Sequence, residues 1–152
     1  MPNTALIIDH LPDHAATHHL HGKQEDTLVL TSEQRRWVRG RFTTAQGREI
    51  ALALPTGTVL SPGAILVVES DWYLKILAAP EPVLAVLPSD NKDAIRIAFE
   101  VGNRHFPLAL QENLLLVPDD TAMVQLFERL GVHFERRNET FHPIGHTHRH
   151  AH

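Results

Sequence analysis

A change of pattern near residue 78 constrains the fold more than any other feature of the sequence. Before it, short apolar segments alternate with turn signals at intervals of about 8–12 residues, and no segment is suited to a long helix. Residues 37–43 and 49–54 form the clearest pair, because Ala45-Gln46-Gly47 between them is typical of a hairpin turn. We therefore predict a small β-sandwich or barrel domain over residues 1–77.

A second domain is predicted over residues 78–140. It begins at Ala78-Ala79-Pro80-Glu81-Pro82, where two prolines make a stiff, extended connector. The pattern then predicts, in order, a strand at 83–87, a helix from Ser89 or Asp90 to about His105, strands at 106–111 and 113–117, a helix after Pro118-Asp119-Asp120 that ends at Gly131, and a strand at 132–136. This βαββαβ order is ferredoxin-like, so the expected class is α+β. Residues from about Asn138 lack apolar periodicity and are expected to be mobile, and we predict a flexible His-rich tail over 141–152.

The composition excludes several classes of function. Lys and Arg number 14 against 18 Asp and Glu, and a net charge of −4 does not favour binding to nucleic acid. Cysteine is absent, which excludes disulfides, thiolate zinc sites and iron–sulfur clusters. No apolar run is long enough to span a bilayer, and residues 1–10 do not resemble a secretory signal. We expect a soluble cytoplasmic protein that binds neither nucleic acid nor membranes.

Histidine is the residue whose distribution points to a function. The chain has 12 histidines, and most lie near its two ends. One group is His10, His14, His18, His19 and His21, and the other alternates through the last seven residues as His146, His148, His150 and His152. Such tracts are typical of metal binding, since neutral imidazole is a good ligand for Ni, Cu and Zn. The alternation differs from a cloning tag, which is usually an unbroken run.

The N-terminal group has two interpretations. His10, His14 and His18 are spaced so that they would share one face of a helix. Pro12 and the lack of an apolar stripe favour a surface loop, and auxiliary metal capture is the alternative.

His105 lies at the end of a possible contact surface. It ends a stripe of small residues that includes Ala94 and Ala98, and a second apolar face lies beside it with Ile95 and Phe99. We expect one face to pack on the sheet and the small-residue stripe to admit a second protein surface. By itself, the position of His105 fits a side chain that caps helix carbonyls.

Motifs for catalysis are absent from the sequence: it has no nucleophile elbow, phosphate loop, dinucleotide fingerprint or zinc-protease motif. The Asp119-Asp120 pair is predicted to cap a helix. A cluster of basic residues consists of Arg35, Arg36, Arg39 and Arg41. It has two interpretations, a solvated strand edge or a docking patch for an acidic partner.

Three stretches of the chain carry motifs of a known family. They are Leu30-Thr31-Ser32-Glu33-Gln34-Arg35-Arg36 continuing through Arg39-Gly40-Arg41 to Gly47-Arg48-Glu49, Leu54-Pro55-Thr56-Gly57-Thr58-Val59-Leu60 leading to Ala78-Ala79-Pro80-Glu81-Pro82-Val83-Leu84, and Gly102-Asn103-Arg104-His105. The last is the most specific, and the His-rich C-terminus completes the pattern. Together these features, which cover residues from about 28 to 152, resemble the UreE family of urease accessory proteins.

The resemblance implies a nickel metallochaperone. Its N-terminal β domain would be of a peptide-binding or partner-binding type, and its ferredoxin-like domain would form a homodimer. His105 of each protomer would bind Ni(II) near the two-fold axis, and tail histidines would add ligands: His146, His148, His150 and His152. The ion would pass to the GTPase UreG and then to the urease apoprotein complex.

Two departures from the family pattern bear on capacity. Residues 118–121 lack the extra histidines of some family members, and the histidine tail is short. We therefore expect delivery of one or a few ions rather than storage. Zn(II) and Cu(II) are possible competitors, and the alternative function is a general zinc or copper buffer without a role in urease maturation. A metal-dependent hydrolase is disfavoured, because no spacing supplies a carboxylate base beside a metal.

Overall fold

A computed structural model describes residues 4–145, which form two compact units. One unit extends to Ala78 and the other begins at Ala79. The first unit contains β1 (Leu6–Ile8), β2 (Gln24–Leu30), β3 (Arg39–Thr43), β4 (Glu49–Ala53), β5 (Ile65–Val68) and β6 (Trp72–Ala78), with short 3-10 helices at Ala16–His18 and Gln34–Arg36. The second contains β7 (Pro80–Val86), α1 (Asn91–Asn103), β8 (Ala109–Gln111), β9 (Leu114–Pro118), α2 (Thr121–Leu130) and β10 (Glu135–Thr140). Neither α1 nor α2 is long and apolar enough to cross a membrane.

The first unit consists of two three-stranded sheets, in the orders β1-β4-β3 and β2-β6-β5. Apolar residues from both sheets, including Ile50 and Leu52 of one and Leu74 and Ile76 of the other, form one core. This arrangement confirms the predicted β domain and its β3–β4 hairpin, whose strands pair antiparallel. Strand β1 was not expected in the polar lead of the sequence. It pairs parallel to β4.

The second unit has a four-stranded antiparallel sheet in the order β10-β7-β9-β8. Along the chain, α1 follows β7 and α2 follows β9. This is the predicted ferredoxin-like arrangement, and the class is α+β. One core cluster joins side chains of α1 and α2 to the sheet, and a smaller cluster, which includes Phe141, contains side chains of β7, β8 and β9. Two expected helix caps are confirmed, because Asp90 accepts a hydrogen bond from Asp93 N–H and Gly131 ends α2 with a φ of +69°.

The last strand lies further along the chain than predicted. It covers Glu135–Thr140 rather than 132–136, because Val132 and Phe134 pack against the helical core before the strand begins. Strand β8 likewise begins at Ala109, since Phe106 and Leu108 pack against the same core.

The predicted loss of order from about Asn138 is wrong for the residues up to Phe141. Phe141 is 1% exposed, and Ile144 N–H donates to the carbonyl of Leu108 at 2.8 Å. The chain beyond β10 is therefore fixed to the segment that follows α1. The remainder of the predicted tail, residues 146–152, lies outside the described residues.

A buried carboxylate fixes the β3–β4 turn to β2. Asp26 is 1% exposed, and it accepts hydrogen bonds from the Thr44 hydroxyl, the Arg48 guanidinium and the backbone N–H groups of Thr27 and Gln46. Burial raises the pKa of Asp26, but these hydrogen bonds outweigh it, so that the pKa lies below its ordinary value of 3.8. The carboxylate therefore stabilises the folded state in its ionised form.

Replacement of Asp26 by Asn is expected to reduce the free energy of unfolding by about 1.5–3 kcal/mol, the usual contribution of hydrogen bonds to a charged group. The lowered pKa makes this contribution complete above pH 3.8, and it is lost as the pH falls through the pKa of the folded state. Urea unfolding of both proteins at pH 7 and at lower pH measures the effect. A difference in stability that does not shrink in acid would contradict the assigned role of the carboxylate.

Candidate metal centre

Helix α1 places His105 at its C-terminal end. The helix starts at a well-defined cap, where the Asp93 carboxylate accepts a hydrogen bond from Ser89 N–H and bonds Arg96. The Ser89 N–H, followed by Arg96, lowers the pKa of Asp93, so that its charge complements the N-terminal end of the helix dipole. The start and direction of α1 are therefore set locally.

Only one apolar face of α1 packs on the sheet. Ile97 and Val101 are fully buried, and Ala94 packs against the same core. Ile95 is 70% exposed and Phe99 is 67% exposed. The expected assignment of the two faces is thus wrong: the small-residue stripe packs within the protomer, and the larger apolar side chains lie outside.

The exposed face of α1 continues to the turn that carries His105. Residues Ile95, Phe99 and Gly102 follow the spacing of one helical face, and Gly102 and His105 are also exposed. A Cβ added to Gly102 would meet no heavy atom within 4 Å, so packing inside the protomer does not require glycine there. We call Ile95, Phe99 and Gly102 the exposed α1 face.

His105 has an unusual backbone conformation for its residue type. Its φ is +61°, in the left-handed region where glycine is favoured. Helix α1 ends at Asn103, and the turn is closed by hydrogen bonds from His105 N–H to Gly102 O at 3.0 Å and from Phe106 N–H to Val101 O at 3.3 Å. A residue with a side chain costs roughly 1–2 kcal/mol there. The fold thus holds a histidine where glycine would be less strained.

The imidazole of His105 is not a helix cap within the described part of the chain, where it makes no hydrogen bond to a helix carbonyl. Its neighbour Arg104 fills that role instead. The Arg104 guanidinium bonds the Glu100 carbonyl at 3.0 Å and the Glu100 carboxylate at 2.7 Å. The charged side chain of the turn is therefore held along the helix, and the imidazole is exposed.

Residues 4–145 contain no group of three or more histidine, aspartate or glutamate side chains placed to hold one metal ion. The other predicted ligands lie outside the described residues: His146, His148, His150 and His152. His105 is thus the one predicted ligand whose position is described.

Two histidines of the N-terminal group lie close together, in the shared-face arrangement that their spacing allowed and that the lack of an apolar stripe disfavoured. His14 Nε2 lies 2.9 Å from His18 Nε2, and the rings are perpendicular with centroids 4.5 Å apart. The spacing of four residues was the available signal. The turn that joins the rings forms after Pro12, so the proline does not prevent it.

The charged clusters have mainly structural roles. Arg39 and Arg41 are exposed on β3, an edge strand, as the solvated-edge interpretation expects. That interpretation is wrong for Arg35, which is buried and donates to Leu30 O. Asp120 caps α2 as predicted, whereas Asp119 pairs with Arg136 at 3.1 Å.

Comparison with known proteins gives matches along most of the chain. A family model described as UreE urease accessory protein, N-terminal domain, matches residues 7–79, and its C-terminal counterpart matches residues 81–152. A urease accessory protein UreE of Synechococcus sp. (strain JA-3-3Ab) is 38% identical over 130 residues, covering 84% of this chain and 87% of that protein. The protein of the same name from Deinococcus radiodurans is 41% identical over 115 residues, covering 76% and 74%. Its namesake from Paraburkholderia xenovorans is 34% identical, covering 86% of this chain and 60% of the longer relative.

Replacement of His105 by Gly is expected to leave the fold intact and to raise the free energy of unfolding by up to about 1 kcal/mol, since glycine relieves the left-handed strain. Replacement by Val, which tolerates this conformation poorly, is expected to lower it. Thermal and urea unfolding of the wild type and the two variants give the order of their free energies of unfolding. If Gly were much less stable than His, the imidazole would have a packing role that the structure does not account for.

Proposed function

The chain belongs to the UreE family of urease accessory proteins, a family that serves urease maturation, and from this premise we propose that it is a homodimeric nickel metallochaperone. Two copies meet across the exposed α1 face, and His105 of each copy binds the same Ni(II) ion. The ion is cargo that is delivered for assembly of the urease metal centre in the cytoplasm. The proposal assigns the chain no catalysis of its own.

The observation that carries this proposal is an exposed imidazole at the end of an exposed apolar face. Large apolar side chains at 70% and 67% exposure favour burial against another surface. A two-fold axis beside His105 would present the same residue twice, so that one side chain per copy supplies two ligands. The left-handed backbone at His105 supports a functional reason for the residue, because strained positions cluster at such sites.

Gly102 supports a close approach between the copies. It lies in the last turn of α1 on the same face as Phe99, and its surroundings within the protomer are open. Glycine in a helix costs about 1 kcal/mol relative to alanine, so its presence needs a reason. Contact with the backbone of a partner helix is the reason we propose.

A coordination shell that contains only two imidazoles leaves other positions open, which suits transfer of the ion. Tail histidines would fill these positions and then dissociate so that the ion is released. We assign this role to His146, His148, His150 and His152. Protons compete with the metal for imidazole, so affinity falls as the pH decreases. Imidazole also binds Zn(II) and Cu(II), which are proposed competitors rather than cargo.

The proposed receiver of the ion is the GTPase UreG, together with the urease apoprotein complex. In this proposal residues 78–140 form the metal-binding and dimerisation domain, and residues 1–77 form the domain that contacts partners. Family membership supports the urease connection over a general zinc or copper buffer. Competition between Ni(II) and Zn(II), and co-purification with UreG, would separate the two functions.

The His105→Gly variant is expected to lose the nickel ion that binds most tightly, which is one ion per dimer. Both proposed interface ligands disappear together, because each copy contributes the same residue. The variant should fold at least as stably as the wild type, which makes the loss specific. Isothermal titration with Ni(II) measures the stoichiometry. His133→Ala removes an exposed histidine elsewhere in the same unit and serves as the control. Unchanged stoichiometry and affinity in His105→Gly would refute the proposed site.

Replacement of Gly102 by Arg is expected to shift the protein to monomers while its helix becomes slightly more stable, since the protomer has room for the side chain. Gln125→Arg, on the exposed side of α2, is the matched control and should remain dimeric. Light scattering coupled to gel filtration gives the masses. A Gly102→Arg dimer with normal nickel binding would place the interface elsewhere.

A further inference from the structure

We propose that His14 and His18 form a second metal site, which holds one first-row divalent ion per chain, Ni(II) or Cu(II), through the two Nε2 atoms. The site belongs to the first unit and uses no residue of the exposed α1 face or its turn. It therefore stands independently of the nickel site proposed at His105.

A short turn brings the two imidazoles to the same side. The carbonyl of Asp13 accepts hydrogen bonds from Ala16 N–H at 3.0 Å and Thr17 N–H at 3.4 Å, which curls the chain into a helical turn. The Thr17 hydroxyl donates to the carbonyl of His14 at 2.8 Å and fixes the residue that begins the pair. Side chains four residues apart on such a turn are neighbours. The pair is thus positioned by the backbone and by Thr17.

The distance between the two Nε2 atoms matches a particular coordination angle. Metal–imidazole bonds are about 2.0–2.1 Å long, so two such ligands at a right angle lie about 2.9 Å apart, and ligands at a tetrahedral angle lie about 3.3–3.4 Å apart. The observed separation is 2.9 Å. It corresponds to adjacent positions of a square-planar or octahedral shell, which are geometries typical of Cu(II) and Ni(II).

Binding of a metal ion displaces the proton that the two Nε2 atoms share. In the free pair, one Nε2–H donates to the other Nε2, because a hydrogen bond at this distance needs one donor and one acceptor. A metal ion requires a lone pair on both nitrogens, so the bridging proton must leave Nε2. That ring then carries its proton on Nδ1, and the exchange proceeds through water because both side chains are exposed. The remaining coordination positions are open to water.

The site is tested in full-length protein that already carries His105→Gly, compared with the same protein carrying His14→Ala and His18→Ala in addition. Titration with Cu(II), and separately with Ni(II), should show one equivalent per chain lost in the triple variant. Ligands of the C-terminal segment are common to both proteins and cancel in the difference. Either single alanine should weaken this equivalent by roughly 100-fold, because the second imidazole then no longer binds from a fixed position.

The matched control is His10→Ala with His21→Ala, which removes two other exposed histidines of the same segment. This control should retain the equivalent. Equal stoichiometry in the His105→Gly protein and the triple variant would overturn the proposal, as would an equal loss in the control. Failure here leaves the proposed function untouched, because that function is tested by comparing His105→Gly with the wild type.

Discussion

Helix α1 can bury only one of its two apolar faces against a single sheet, and the rest of the candidate site depends on this constraint. The sheet accepts Ile97 and Val101, and the other face, with Ile95 and Phe99, stays exposed on the protomer. The same helix must stop where the chain turns back toward β8, and the stop sets His105 in a left-handed conformation. The exposed α1 face and the proposed metal ligand are therefore placed side by side by the geometry of one helix and its end.

Sequence patterns predicted the elements better than their surroundings. The βαββαβ order, the Asp90 cap and the Gly131 stop follow from local chemistry, and all three are confirmed. The choice between the two faces of α1 was wrong, because periodicity reveals that two apolar faces exist but not which one meets the sheet. Strand β1 escaped prediction for a related reason: it is three residues long and forms only by pairing with β4.

For the two candidate metal sites, too, the sequence shows some features and not others. The motif around His105 predicted that residue as a metal ligand, and this stays a prediction, whereas its backbone conformation depends on how the helix ends and cannot be read from the composition. The His14–His18 pair shows the opposite case, since the spacing was visible and metal capture was kept as the alternative, while Pro12 and the lack of an apolar stripe favoured a surface loop. A single turn held by the Asp13 carbonyl is sufficient to bring two rings together, and it needs no long helix.

The hydrogen bond from Ile144 N–H to Leu108 O has a consequence for rates as well as for order. It fixes the chain beyond β10 to Leu108, which lies three residues after His105 in the sequence. Under the proposed function, a ligand from the C-terminal segment would reach the site at His105 at an effective concentration set by the length of the connecting chain, and not by the protein concentration. Its binding step would then have the concentration independence of an intramolecular reaction.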